Sequence, residues 1–143
     1  EGNTPMVTVE NRVGRLIEVR QTGKVTVEEL QETFPIFQRI LSSSTERFVM
    51  ATDWRGMRVL DAKTSEALLG IMRAKNDRIE RQMLVMDPSA VMGLQVRRLF
   101  KDAGGESRSV FESPDQARHW LEPVLSPLEV ASLKRFLTMG VAA

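Results

Sequence analysis

The feature that most constrains this chain is an alternation. Short runs dominated by apolar residues are each followed by a helix-opening residue and a stretch of helical periodicity. "RFVMATD" (Arg47 to Asp53) is followed by "DAKTSEALLGIM", "RQMLVMD" by "DPSAVMGLQVRRLF", and "RSVFE" by "SPDQARHWL". Apolar runs this short, bracketed by helix starts, read as strands buried on both faces. Repeated strand and helix units predict parallel strands joined by right-handed helical crossovers.

The chain reaches that pattern through a hairpin. "MVTVENRVGRLIEVRQTG" holds two runs rich in Val, Ile and Leu around Asn11 to Gly14, an antiparallel pair ending at Gly23 that makes the sheet mixed. In "TVEELQETFPIFQRIL" Thr26 and Glu29 have capping-box spacing, and Leu30, Phe34, Phe37 and Leu41 follow at helical intervals. Pro35 within that pattern predicts a kink or restart near Phe34. Asp61 is the expected cap of a second helix carrying Leu68, Leu69, Ile71 and Met72. Asp87 and Pro88 are the expected cap and first turn of a third, with Val91, Leu94, Gln95 and Leu99 along it. Ser113, Pro114 and Gln116 open a fourth. Ser126 and Glu129 form a capping box for a last helix with Val130, Leu133 and Leu137 on one face and Gly140 as its stop.

The fold class is therefore α/β: a mixed sheet of about five strands with helices packed on it, plus an extra C-terminal helix. Residues 1–6 read as a disordered leader or tag remnant, 7–122 as the α/β domain and 123–143 as a C-terminal helical extension. That helix is expected to pack on its own domain, although an amphipathic terminal helix is also a convenient partner or dimer surface.

Composition narrows the function. The 143 residues fit one domain, and the absence of cysteine excludes disulfides, thiolate metal sites and a cysteine nucleophile while fitting a reducing, cytoplasmic setting. The longest apolar runs, such as "MLVM", fall far short of the roughly 20 residues of a membrane-spanning helix. Twenty basic and 19 acidic side chains leave a net charge of +1. The densest basic clusters, Arg73–Arg81 and Arg97–Lys101, are interrupted or bordered by Asp77, Glu80 and Asp102, and no tyrosine is present, so no nucleic-acid partner is expected. The lone His119 lies far from any nucleophile motif. Neither a phosphate-cradling glycine loop nor a cluster of metal-ligand residues is present, and Gly104 and Gly105 read as a helix stop. No enzyme, cofactor or metal is expected.

The order of elements, and the stretch "FVMATDWRGMRVLDAKTSEALLGIM" within it, resemble the anti-sigma factor antagonist (STAS, SpoIIAA-like) family. Asp53 is similar to that family's strand-end aspartate, and "VLDAKTSEALL" stands where the family has an aspartate, two hydroxyl residues, a glycine and an apolar helix. "VRRLFKDAGGESRSVFESPDQARHWL" resembles its last helix, strand and helix, so the likeness covers most of Val7 to Leu121. It implies a bacterial, non-enzymatic regulatory module that docks a protein partner. The switch hydroxyl of phosphorylatable members corresponds to Lys63, with Ala62 before it and Thr64 in place of the glycine. The resemblance therefore implies a docking surface without the usual phosphorylation switch, Thr64 and Ser65 substituting only if the helix start is shifted. SpoIIAA-like proteins described as Sec14-like imply the alternative of a small apolar or lipid ligand, and the eight methionines suit an adaptable cavity.

If Asp61 caps the second helix, Ala62 to Thr64 form a first turn with free N–H groups, where Lys63 and Thr64 can meet an anion or a partner's carboxylate. Trp54, Arg55, Met57 and Arg58 are expected in the loop after the central strand, at the strand ends where open α/β sheets place their ligand surfaces. Trp and Arg are also the residue types enriched in binding hot spots. The candidate partner-binding residues are thus Asp53, Trp54, Arg55, Arg58, Asp61, Lys63, Thr64 and Ser65. A regulatory protein is the expected partner; homodimerisation through the sheet edge or terminal helix is compatible with it.

Overall fold

The computed structural model describes residues 7–104 and 107–139. The expected leader at 1–6 and the stop at Gly140 lie outside the described residues. In chain order the elements are β1 (Val7–Val13), β2 (Leu16–Gln21), α1 (Val27–Ser42), β3 (Phe48–Trp54), α2 (Ala62–Lys75), β4 (Ile79–Met86), α3 (Ala90–Ala103), β5 (Arg108–Phe111), α4 (Pro114–Leu121) and α5 (Pro127–Met139). Short 3₁₀ turns at Asn76–Arg78 and Glu122–Val124 follow α2 and α4.

The five strands lie side by side in the order β1-β2-β3-β4-β5, antiparallel between β1 and β2 and parallel thereafter. That order has a consequence. When every parallel crossover is right-handed and steps the same way across the sheet, every crossover helix falls on the same face. The side chains agree. Ile17, Val19, Phe48, Trp54, Leu84 and Met86 point to the α1, α2 and α3 face, while Leu16, Val49, Ala51, Met83 and Val85 point to α4 and α5. Neighbouring residues alternate between the two cores, as a doubly covered strand requires. The second face has no crossover helix to cover it, and α4 and α5 supply that cover through Ala117, Leu121, Leu133, Phe136 and Leu137. The segment from Pro127 is thus joined to the rest through the core.

Three local expectations are corrected. The helix α1 runs unbroken through Pro35 with its Thr26–Glu29 capping box complete, so there is no restart at Phe34. Pro35 and Gln31, four residues before it, are both exposed, where water can replace the missing donor. The cap of α3 is Ser89, whose hydroxyl accepts the Met92 N–H at 3.1 Å, whereas Asp87 instead accepts the Gly56 N–H at 2.7 Å. With the helix set there, its buried stripe is Met92, Val96, Leu99 and Ala103. Of the expected apolar pattern Leu99 is buried, whereas Val91 and Leu94 are 57% and 70% exposed. Two apolar stripes compete on α3, and the longer one faces the sheet.

The last helix is locked to the first hairpin. Glu129 completes the capping box of α5 with Ser126, and its other carboxylate oxygen accepts the Arg15 N–H at 2.6 Å. Gly14, at φ +56°, makes room: a Cβ there would lie 2.2 Å from the Glu129 carboxylate. Gly14→Ala is therefore expected to cost about 2 kcal/mol in urea denaturation. That loss should exceed the effect of Gly104→Ala, which also has positive φ but no atom within 4 Å of its added Cβ. Equal losses would assign the effect to backbone strain alone.

Beneath α5, Glu18 is buried and accepts the Ser132 hydroxyl at 2.9 Å. Burial pushes its carboxyl above the usual range, opposed by that hydrogen bond. Between the unfolded and folded titrations the native state holds more protons, so this group's contribution falls as pH rises through that window. Glu18→Gln removes the effect. The melting temperature of the variant minus that of the wild type should rise between about pH 4 and about pH 7, and a flat difference would contradict it.

Candidate functional site

The strand-end aspartate is buried and held from two sides. Asp53 is 1% exposed, and its carboxylate accepts four hydrogen bonds: from the Arg55 N–H at 3.0 Å, Arg55 Nε at 2.9 Å, Arg55 Nη2 at 3.1 Å and Arg20 Nε at 3.1 Å. Both arginines then reach the end of α5. Arg55 Nη2 donates to the Leu137 carbonyl at 2.7 Å. Arg20 donates to the Phe136 carbonyl and lies 4.2 Å from the centroid of its ring. The last carbonyls of a helix lack intrahelical donors and carry its negative pole, so two guanidinium groups suit them. Asp53 and Arg55, expected to face a partner, hold α5 instead.

Trp54 is a second correction. It ends β3 instead of entering the loop, is 3% exposed, and donates from its indole nitrogen to the Gln21 side chain. Its alternation with Asp53 sends it to the α1–α3 face, so it closes that core. Thr64 is also inside, 1% exposed, with its hydroxyl 3.4 Å from the Val25 carbonyl. The start of α2 is not shifted. Asp61 is the cap, accepting the Thr64 N–H at 2.8 Å. That backbone bond, with help from the Thr64 side chain and nearby Lys24 and Lys63, holds the Asp61 carboxyl below its ordinary range.

The loop between β3 and α2 is pinned on both sides. Gly23 donates to the Gly56 carbonyl and accepts from the Arg58 N–H, both at 2.9 Å, which ties the loop to the end of β2. Gln95 of α3 clasps Leu60 twice, accepting its N–H at 3.0 Å and donating to its carbonyl at 2.9 Å. The mouth of α2 is thereby fixed against α3. Of the expected residues, Arg58, Asp61 and Lys63 are exposed there and Ser65 is half-buried.

Sequence reasoning missed the groove beside them. Between α2 and α3 runs a groove of about 570 Å³ that takes in Asp61, Ser65, Glu66, Leu69, Val91 and Leu94. Its α2 wall carries Asp61 and Glu66 and its α3 wall Arg98 and Asp102; Arg97 and Lys101 line an adjoining hollow that shares Leu94, Arg98 and Asp102 with it. Val59, 48% exposed, stands next to Leu60 at one end. The signal was in the sequence as the second apolar stripe on α3, Val91 and Leu94.

Among solved structures, the chain is similar to an uncharacterized protein of the DUF3478 family with a SpoIIAA-like fold from Shewanella loihica PV-4. The TM-score is 0.63 at 16% identity, over 80% of this chain and 91% of that one. The fold is SpoIIAA-like. No protein-family model matches the sequence, and no curated protein does so.

Within this SpoIIAA-like fold the eight expected residues therefore divide. Asp53, Trp54, Arg55 and Thr64 hold the structure together, whereas Asp61 and Ser65 line the groove and Arg58 and Lys63 are exposed beside the start of α2. Among the described residues no group of three or more His, Asp or Glu is placed to hold a metal, and no helix is long and apolar enough to cross a membrane. Asp53→Ala leaves two guanidinium groups without their carboxylate and should cost about 3–5 kcal/mol. Amide exchange in the last turn of α5 should accelerate ahead of global unfolding. A loss below about 1 kcal/mol would mean that the arginines hold α5 unaided.

Proposed function

We propose that the protein is a non-enzymatic, regulatory docking module of STAS-like type, working without a phosphorylation switch. Its partner lies in the α2–α3 groove and over the mouth of α2. The observation that carries this reading is the exposed apolar pair Val91 and Leu94 on the α3 side of the groove, facing an α2 wall that carries Asp61 and Glu66, with Arg98 beside them. Exposed apolar surface rimmed by charge marks interaction sites. The groove and the adjoining Arg58 to Ser65 edge together could provide roughly the 800 Å² per partner of a standard interface.

The wall chemistry specifies the occupant. An amphipathic helix would lay its apolar stripe on Val91 and Leu94, turn basic residues towards Asp61 and Glu66, and extend an acidic one past Arg98 towards Arg97 and Lys101, which line the adjoining hollow on α3. Lys63 adds a cation at the exposed first turn of α2, where a partner carboxylate would find both charge and free N–H groups. The missing switch has a physical basis: the position corresponding to the switch hydroxyl is Lys63, and the Thr64 hydroxyl is buried against Val25.

Leu94→Asp tests the reading. Because Leu94 is 70% exposed, the variant should melt within a few degrees of wild type. It should weaken capture of the cognate partner at least ten-fold, about 1.4 kcal/mol. Leu128→Asp is the control, 73% exposed and on α5, and should bind as wild type does. Equal capture by all three would place the function on another surface. A wild-type dimer in solution that Leu94→Asp dissolves would make a second copy of this chain the occupant.

A further inference from the structure

The geometry points to a small-molecule site on the sheet face opposite the α2–α3 groove: the hollow between the start of α4 and the last turns of α5 binds a phosphate monoester. The hollow measures about 420 Å³. Its walls carry one cation from each of three places in the fold, Arg55 directly after β3, Arg118 of α4 and Lys134 of α5. Pro114, which opens α4 shortly after β5, lines it too, so the hollow lies at the carboxyl ends of β3 and β5. Open α/β sheets place their ligands at those ends. The volume is in the range of small-molecule sites.

Charge specifies the ligand. Arg20 and Arg55 share the single carboxylate of Asp53, so that group keeps one positive charge in excess. Asp53 occupies the Nε and Nη2 edge of Arg55, and Nη2 also holds the Leu137 carbonyl. Among the described residues Nη1 has no partner, and no buried side-chain nitrogen there lacks one. Nη1 is therefore open to solvent, at a side chain that lines the hollow. Lys134 is exposed, and among the described residues no carboxylate pairs with it. Arg118 is neutralised by Glu122. Asp115, also on the wall, stands 4.0 Å from Arg118, but its side chain is 88% exposed and screened by water. Two cations are thus unmatched. A phosphate monoester brings a charge of about −1.5 to −2 at neutral pH and three acceptor oxygens, whereas a carboxylate brings a single charge.

The negative pole of α5 does not oppose such a ligand, because the Phe136 and Leu137 carbonyls already hold Arg20 and Arg55. Pro114 and Leu137 supply apolar surface beside the cations. A pocket that joins apolar walls to a few charged groups suits an organic body carrying the phosphate and not a free ion. The sheet separates this site from the α2–α3 groove, and neither depends on the other.

Phenyl phosphate is the probe, titrated into the full chain by calorimetry at fixed ionic strength, beside inorganic phosphate and benzoate. The expected result is saturable binding of one phenyl phosphate per chain, with the other two at least ten-fold weaker. Lys134→Glu changes an exposed side chain and should melt within a few degrees of wild type. It should weaken phenyl phosphate at least ten-fold. Arg118→Gln should weaken it as well, and it decides the matter should the first variant not fold. Arg135→Glu, at the neighbouring exposed cation of α5, and Lys101→Glu, in the basic hollow on α3, make the same charge change outside the site. Both should bind as wild type does. Four results would overturn the proposal: no saturable binding, benzoate or inorganic phosphate bound as tightly as the ester, affinity indifferent to the folded Lys134 and Arg118 variants, or an equal loss in either control.

Discussion

The architecture depends on one buried carboxylate. Asp53 sits at the end of the central strand, closed off from water, and its two arginines extend in turn to the last carbonyls of α5. A buried charge is tolerable only when it is paired and hydrogen-bonded, and here each oxygen has two donors. The same contacts place two cations at the negative pole of α5. Sheet, loop and terminal helix thus meet at one group of charges. At its other end, α5 is fixed by Glu129 to the hairpin turn at Arg15. A helix docked at both ends across β1 and β2 behaves as part of the domain.

Strand order explains why such a helix is needed. A sheet built by stepping in one direction places all its crossover helices on one side. Leu16, Val49, Ala51, Met83 and Val85 on the other side would face water with only α4 for cover. Covering that face with α5 buries Leu133, Phe136 and Leu137. At roughly 1.5–3 kcal/mol for each large apolar side chain, this far exceeds what the terminal capping bonds contribute. Electrostatics position α5, and the hydrophobic effect retains it.

Much of this was legible in the sequence, for identifiable reasons. Element order, the hairpin, the mixed sheet and the caps at Thr26, Asp61, Ser113 and Ser126 rest on local patterns, and local patterns do not depend on the rest of the chain. Apart from the cap of α3 and the restart in α1, the misses are tertiary. That Asp53 points inward could not be read, because one of its partners, Arg20, is 33 residues upstream, and the other, Arg55, is itself held by a carbonyl 82 residues further on in α5. Trp54 looked like a loop residue because it precedes "RGMR", yet one more step of alternation puts it in the core. On α3 both stripes have helical spacing, and only the sheet beneath decides between them.

The helix α2 stands between the groove and the core. Leu69 faces the α3 groove, whereas Leu68, Ile71 and Met72 pack on the apolar clusters beneath. Its first turn is fixed by Asp61, Thr64 and the nearby Leu60–Gln95 clasp, and its single fully buried residue lies in that turn. The wall that faces the α3 groove is thus held chiefly at its first turn, and beyond that turn α2 keeps its place by partly buried apolar contacts and by the hydrogen bonds of Arg73 and Asn76 to the end of α3.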